Sequence, residues 1–208
     1  HPGTNLEKRH IIINTVNILN MHHPTTNYEK RLRGYRFGDK TTYSNFHLGE
    51  DLIGNLGDDL YAVNDGIITT VENLSEGGNT THLLLNSGEL IRYLHQSKFL
   101  VKRGEKVKSG KVIGLMGSTG VSSKDHLHWD ISKNGKLELN NLANFQDPEV
   151  WLKGNNDMWQ KLKSIFKQKF SAESEDHLAI GAIVEYTTPE GKKDFLRAEL
   201  YQCQCPCF

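Results

Sequence analysis

From about Phe46 onward, apolar and polar residues alternate in short runs cut by glycine, the period-two pattern of half-buried strands. Residues 60–63, 66–71, 82–85, 89–94 and 125–131 each carry that pattern and predict strands. Turn chemistry separates several of them, at Asn64-Asp65-Gly66, Glu76-Gly77-Gly78-Asn79 and Asn86-Ser87-Gly88. Over residues 101–114 the pattern V-x-x-G-x-x-V-x-x-G-x-x-I places Gly104 and Gly110 six apart, which predicts very short strands joined by tight turns. The stretch from 46 to 136 therefore reads as all-β.

The flanks differ from this centre. Residues 1–44 are mixed, with an apolar stretch at 11–21 that predicts a short helix, a turn-rich 22–27 and a charged run at 29–36. They are expected to form an N-terminal arm or subdomain. After Pro148, Met158, Trp159, Leu162, Ile165, Phe166 and Phe170 recur at helical spacing, and Asn155 to Asp157 offer N-cap chemistry. One amphipathic helix is expected there, followed by a hairpin of residues 182–186 and 195–201 around Thr188-Pro189-Glu190-Gly191. The expected division is an arm at 1–44, a β core at 45–136 and a C-terminal extension at 137–208.

Composition narrows the function classes. The 208 residues carry 25 Lys+Arg against 25 Asp+Glu, so no basic field favours nucleic acid. No apolar run approaches the roughly 18 to 20 residues of a membrane-spanning helix, so no transmembrane segment is expected. All three cysteines, Cys203, Cys205 and Cys207, lie in the last six residues and cannot staple distant parts of the fold. The core must hold without disulfides, and the tail reads either as a frayed terminus or as a soft-metal or redox clip.

The histidines change the picture most. His126 and His128 are two apart on a predicted strand, so both imidazoles project from one face and can reach one point. Histidines on a buried face need polar partners or a metal. His47-Leu48-Gly49-Glu50-Asp51 adds an imidazole and a carboxylate, with a glycine between them that lets the backbone turn. Two neutral imidazoles and a carboxylate leave a zinc ion positive with one position open for water. Such a centre lowers the pKa of bound water from 15.7 toward about 7.

Several motifs in one order carry a resemblance: Phe46-His47-Leu48-Gly49-Glu50-Asp51-Leu52, Tyr61-Ala62-Val63-Asn64-Asp65-Gly66-Ile67-Ile68, Tyr93-Leu94-His95, Gly114-Leu115-Met116-Gly117-Ser118-Thr119-Gly120 and His126-Leu127-His128-Trp129-Asp130. Together they resemble the lysostaphin-type (LytM-like) zinc metallopeptidases, over about residues 36 to 136. The resemblance implies a mainly β fold, a compact antiparallel sheet or sandwich with a groove, of the duplicated-hybrid-motif kind, here with helical extensions at both ends. It implies that His47, Asp51 and His128 bind one zinc ion per chain. His95 and His126 become the catalytic histidines that flank the metal-bound water without binding zinc, one as general base and the other stabilising the oxyanion. The implied substrate is a peptidoglycan peptide, in a stem or a cross-bridge, the implied location is extracytoplasmic, and a monomer is expected.

No H-E-x-x-H occurs in the chain, so no glutamate of that motif can serve as base and a histidine must move the proton. The chain departs from the family pattern at Gln96, at Ser122-Ser123-Lys124-Asp125 and at Trp129-Asp130. None of these departures is expected to touch a ligand. Gly117 and Gly120 suit either close approach of a peptide or positive φ, and Tyr61 and Tyr93 read as packing residues. The competing reading is a catalytically silent peptidoglycan-binding or hydrolase-activating module of the same fold. Missing metal ligands would mark it, and none of the three is missing.

Overall fold

The computed structural model describes residues 21–170, 180–187 and 193–200. The helix expected at 11–21, except for Met21, lies outside the described residues, as do the hairpin tip at 188–191 and Cys203, Cys205 and Cys207.

In chain order the strands are β1 (Gly49–Ile53), which precedes the predicted alternating runs, and then β2 (Asp59–Tyr61), β3 (Gly66–Leu74), β4 (Gly78–Leu85) and β5 (Leu90–Gln96), which fall on them. The glycine-spaced segment and its neighbours give β6 (Lys98–Phe99), β7 (Lys106–Val107) and β8 (Val112–Leu115), as short as the spacing predicts. Then come β9 (His126–Ser132), β10 (Phe145–Gln146), helix α1 (Pro148–Phe170), and β11 (Ile180–Thr187) with β12 (Lys193–Leu200). Every pairing given for these strands is antiparallel. The main sheet runs β1-β9-β5-β4-β3-β7, with β10 also on β9, and a second sheet runs β2-β8-β6.

One face of the main sheet builds the core and the other stays polar. On β9, Leu127, Trp129 and Ile131 point into the core, beside Ile91 and Tyr93 of β5, Leu52 of β1 and Leu83 of β4. Leu60 and Ile113 bring the second sheet into the same cluster. Tyr93 also packs as expected, and its phenol oxygen accepts from Val63 N at 3.1 Å.

The described residues 21–166 fall in one compact unit, so residues 21–44 belong with the β core. Thr25 bridges to Leu60 and Arg33 to Leu52, and Tyr28 enters the core. A polar knot fastens this segment to the sheet. Glu50 points to the core side of β1, where its Oε2 accepts from Tyr28 Oη at 3.0 Å and Trp129 Nε1 at 3.1 Å, while Oε1 meets Arg33 Nε. The Arg33 guanidinium also lies 4.5 Å from the Tyr28 ring centroid.

The helix begins earlier than its apolar spacing predicts. Pro148 occupies the first turn, and Asp147 caps it by accepting from Glu149 N at 2.9 Å and Val150 N at 3.2 Å. Asn155 to Asp157 are therefore interior residues, because Asp-Pro supplied the stronger start signal. Trp151 and Leu152 of the first turns join the core. The β11–β12 hairpin, in register from Ile180↔Leu200 to Thr187↔Lys193, falls in a separate unit. No helix among the described residues is long and apolar enough to cross a membrane.

Arg33→Ala should leave the Glu50 carboxylate buried without its cation and destabilise the fold by about 3 to 5 kcal/mol. Urea unfolding followed by tryptophan fluorescence measures this; a shift under 1 kcal/mol would remove the knot from the account.

Candidate metal centre and active-site groove

Alternation along β9 that sends Leu127, Trp129 and Ile131 inward sends His126, His128 and Asp130 to the opposite face. That face floors a groove of about 1260 Å3, walled by segments near residues 41–48, 74–77, 121–124 and 139–140. The register Asp51↔His128 on one side of β9 and Leu94↔His128 on the other brings β1 and β5 to the same point. His47 arrives from the turn just before β1.

Three donors converge there. His47 Nε2 lies 3.2 Å from Asp51 Oδ1, and His128 Nδ1 lies 2.9 Å from His47 Nε2 and 3.0 Å from Asp51 Oδ1. Ligands of a tetrahedral zinc ion, each about 2.0 to 2.2 Å from the metal, stand about 3.4 Å apart, so slight side-chain movement would admit an ion. The other ring nitrogens are arranged to match. His47 Nδ1 is 3.2 Å from the Arg36 carbonyl, an acceptor only, so Nδ1 carries the hydrogen and Nε2 keeps its lone pair. His128 Nε2 is 3.0 Å from Asp130 Oδ2, which leaves Nδ1 to face the other two donors.

Two further imidazoles stand beside this set. His126 Nδ1 donates to the Lys124 carbonyl at 2.8 Å and His95 Nδ1 to the Thr119 carbonyl at 2.8 Å, so both rings keep a bare Nε2. Their centroids are 4.7 Å apart, and His126 Nε2 is 3.7 Å from Asp51 Oδ1.

His95 reaches the groove against strand alternation. Two residues after the core-facing Tyr93, it would face the core on a regular strand. Between the pairs Thr81↔Tyr93 and Asn79↔Gln96, however, β5 carries one residue more than β4, a bulge. His95 absorbs it at φ 62, a left-handed conformation that costs a non-glycine residue about 1 to 2 kcal/mol. Its backbone is held on both sides, its N donating to Gly77 O at 2.8 Å and its O accepting from Thr119 N at 3.3 Å. Gly117 packs directly on this corner, where a Cβ would meet Ser97 N at 2.5 Å and His95 O at 2.9 Å. Gly117 thus admits the chain's own backbone, while Gly120 has φ 72.

The charges follow from burial and pairing. Burial disfavours charge on His128, but hydrogen bonds to Asp130 and Asp51 prevail and push it up to about 9 without metal. Asp51 is raised by burial yet held well below the usual carboxylate range by hydrogen bonds with His128 and His47. Burial lowers His95 to about 4 and also lowers His126, so both rings are neutral near pH 7.

The match to known proteins covers the segment that holds these residues. The model of peptidase family M23 matches residues 45–139. The catalytic domain of the antimicrobial peptidase lysostaphin from Staphylococcus simulans superposes with a TM-score of 0.55 at 34% identity, covering 94% of that chain and 60% of this one. The chain belongs to peptidase family M23.

Among curated relatives, the glycyl-glycine endopeptidase ALE-1 of Staphylococcus capitis is 40% identical over 131 residues, 61% of this chain and 34% of that one. The peptidoglycan DD-endopeptidase ShyA of Vibrio cholerae is 37% identical over 90 residues, 43% of this chain and 21% of its own. The match thus spans about a third or less of these relatives' length. The structure brings all five expected residues, His47, Asp51, His95, His126 and His128, to one groove. The expectation that no departure from the family pattern touches a ligand is corrected by Asp130, whose carboxylate meets His128. The alternation that paired His126 with His128 extends to residue 130 and could have revealed it.

Metal-free protein should be most stable near pH 6.5. Free histidine titrates near 6.5. Below that, the unfolded chain takes up protons that His95 and the buried His82 of β4, both lowered to about 4 by burial, refuse, so stability falls as pH drops from 6.5 toward 4. Above it, the raised His128 holds a proton that the unfolded chain releases, so stability falls from 6.5 toward 9. Melting temperatures of chelator-treated protein across pH 4.5 to 9.5 read this, and His128→Gln should flatten the alkaline limb alone.

Proposed function

We propose that this M23 chain is a zinc metalloendopeptidase, a hydrolase that cuts peptide bonds in peptidoglycan stem peptides or cross-bridges. The observation that carries the reading is the convergence of His47 Nε2, Asp51 Oδ1 and His128 Nδ1 beside two imidazoles with bare Nε2 atoms. The names of the relatives, a glycyl-glycine endopeptidase and a peptidoglycan DD-endopeptidase, support the substrate class.

In this reading His47, Asp51 and His128 hold one zinc ion. Zinc bound there would supply Lewis acidity for a peptide carbonyl and lower the pKa of a water toward about 7. His126, with Nε2 nearest the ligand set, takes the water's proton there while the Lys124 carbonyl keeps its Nδ1–H in place. His95, its Nδ1–H held by Thr119, stands beside His126 and donates from Nε2 once protonated. Proton traffic between rings whose centroids are 4.7 Å apart serves first the attack and then the departing amine. The groove is open enough for an extended peptide, and every residue invoked comes from one chain, so a monomer suffices. Peptidoglycan lies outside the cytoplasmic membrane, which places the protein's work outside it too.

Elemental analysis and release of amino groups from purified sacculi test the reading together. Wild type should hold about one zinc per chain and release amino groups; Asp51→Ala should lose both. His126→Ala should keep the zinc and slow release by about 10² to 10⁴-fold. Zinc-loaded protein that binds sacculi but cuts nothing would instead establish the silent binding module.

A further inference from the structure

Asp130 and Arg92 form a buried clamp behind the candidate metal centre that no step above uses. Asp130 is completely buried, and Arg92, paired with it across β5 and β9, is nearly so. The guanidinium grips the carboxylate as a fork, Nε to Oδ1 at 2.9 Å and Nη2 to Oδ2 at 2.6 Å. Oδ2 is the same oxygen that lies 3.0 Å from His128 Nε2. Arg92 in turn lies 5.9 Å from the Phe145 ring centroid, on the strand that extends the sheet beside β9.

We propose that Arg92 and Asp130 are positioning residues that set which nitrogen of His128 is offered to the metal. The proposal rests on the zinc-site reading above. A carboxylate locked by an arginine fork accepts hydrogen bonds and donates none, so the hydrogen of neutral His128 must sit on Nε2 and the lone pair on Nδ1. Nδ1 is the atom that meets His47 and Asp51. Without the fork, the carboxylate could rotate and the imidazole could turn or exchange tautomers, offering the wrong nitrogen. Asp130 alone would supply the acceptor, but Arg92 fixes its plane. A purely structural ion pair would hold the strands together without affecting the metal's surroundings.

The test uses the full chain and two probes, zinc affinity by competition with a chromophoric chelator and the visible spectrum of the cobalt(II)-substituted protein. Melting of the metal-free form reports folding. Asp130→Asn should weaken zinc binding by about 10 to 100-fold and shift the cobalt bands. Arg92→Lys, which keeps the charge but not the fork, should fall between Asp130→Asn and wild type. Either single variant leaves a buried group poorly paired and can fail to fold. The double variant Arg92→Met with Asp130→Leu removes both charges, and a buried pair so replaced is commonly neutral for stability. Folded and melting near wild type, it should show the same loss of affinity and altered cobalt bands. A folded double variant with wild-type affinity and spectrum overturns the proposal and leaves the zinc reading intact. A wild-type chain that binds no zinc overturns the zinc reading itself.

Discussion

Strand β9 is buried on both faces, and the rest of the site is an answer to that constraint. Its core face is met mostly by apolar neighbours, so Leu127, Trp129 and Ile131 are stabilised by burial, with the indole N–H of Trp129 satisfied by Glu50. Its groove face carries His126, His128 and Asp130, which are costly to bury unless each polar atom finds a partner. The partners arrive from both sides: Asp51 from β1, Arg92 from β5 and the Lys124 carbonyl from the preceding loop. A network paired in this way keeps its geometry before any ligand arrives, which is what a metal-binding or catalytic constellation requires.

The two faces of β1 show how the arm supports the chemistry. Asp51 faces the groove, while Glu50, its neighbour, faces the core and is tied by Tyr28, Arg33 and Trp129. A slip of one residue in the β1–β9 register would exchange the two carboxylates between faces. The Glu50 knot opposes that slip, so residues on the core side of the sheet help to keep Asp51 beside His128.

Backbone carbonyls do much of the orienting elsewhere. Arg36 O, Thr119 O and Lys124 O each fix the tautomer of a different histidine, and the side chains of these three residues take no part. Substitutions of Arg36, Thr119 and Lys124 leave these carbonyl contacts available as long as the loop path is kept, whereas the Ser122 hydroxyl, 3.2 Å from His126 Nδ1, meets the site through its side chain. At His95 the path includes a left-handed corner that the turn before β4 and the Gly117–Gly120 loop hold in place. Strain of this sort persists where surrounding contacts over-determine it, and it is concentrated at a residue that the proposed chemistry uses.

Alternation and glycine spacing by themselves determined most of the strands, and motif order gave the family together with His47, Asp51, His95, His126 and His128. These signals are local: a period of two, a turn dipeptide or a short motif needs no knowledge of what lies across the sheet. The helix start at Asp147-Pro148 is equally local, a capping carboxylate followed by proline, and it outranks the apolar spacing further along. Other features had no local signal. That Arg92 stands beside Asp130 is a fact of β5–β9 register, that His95 leaves the core face is a fact of a bulge opposite β4, and that Glu50 is buried depends on an arm folding back over β1. Register, bulges and the burial of a lone charge are decided by partners distant in sequence, so only the tertiary structure could assign them.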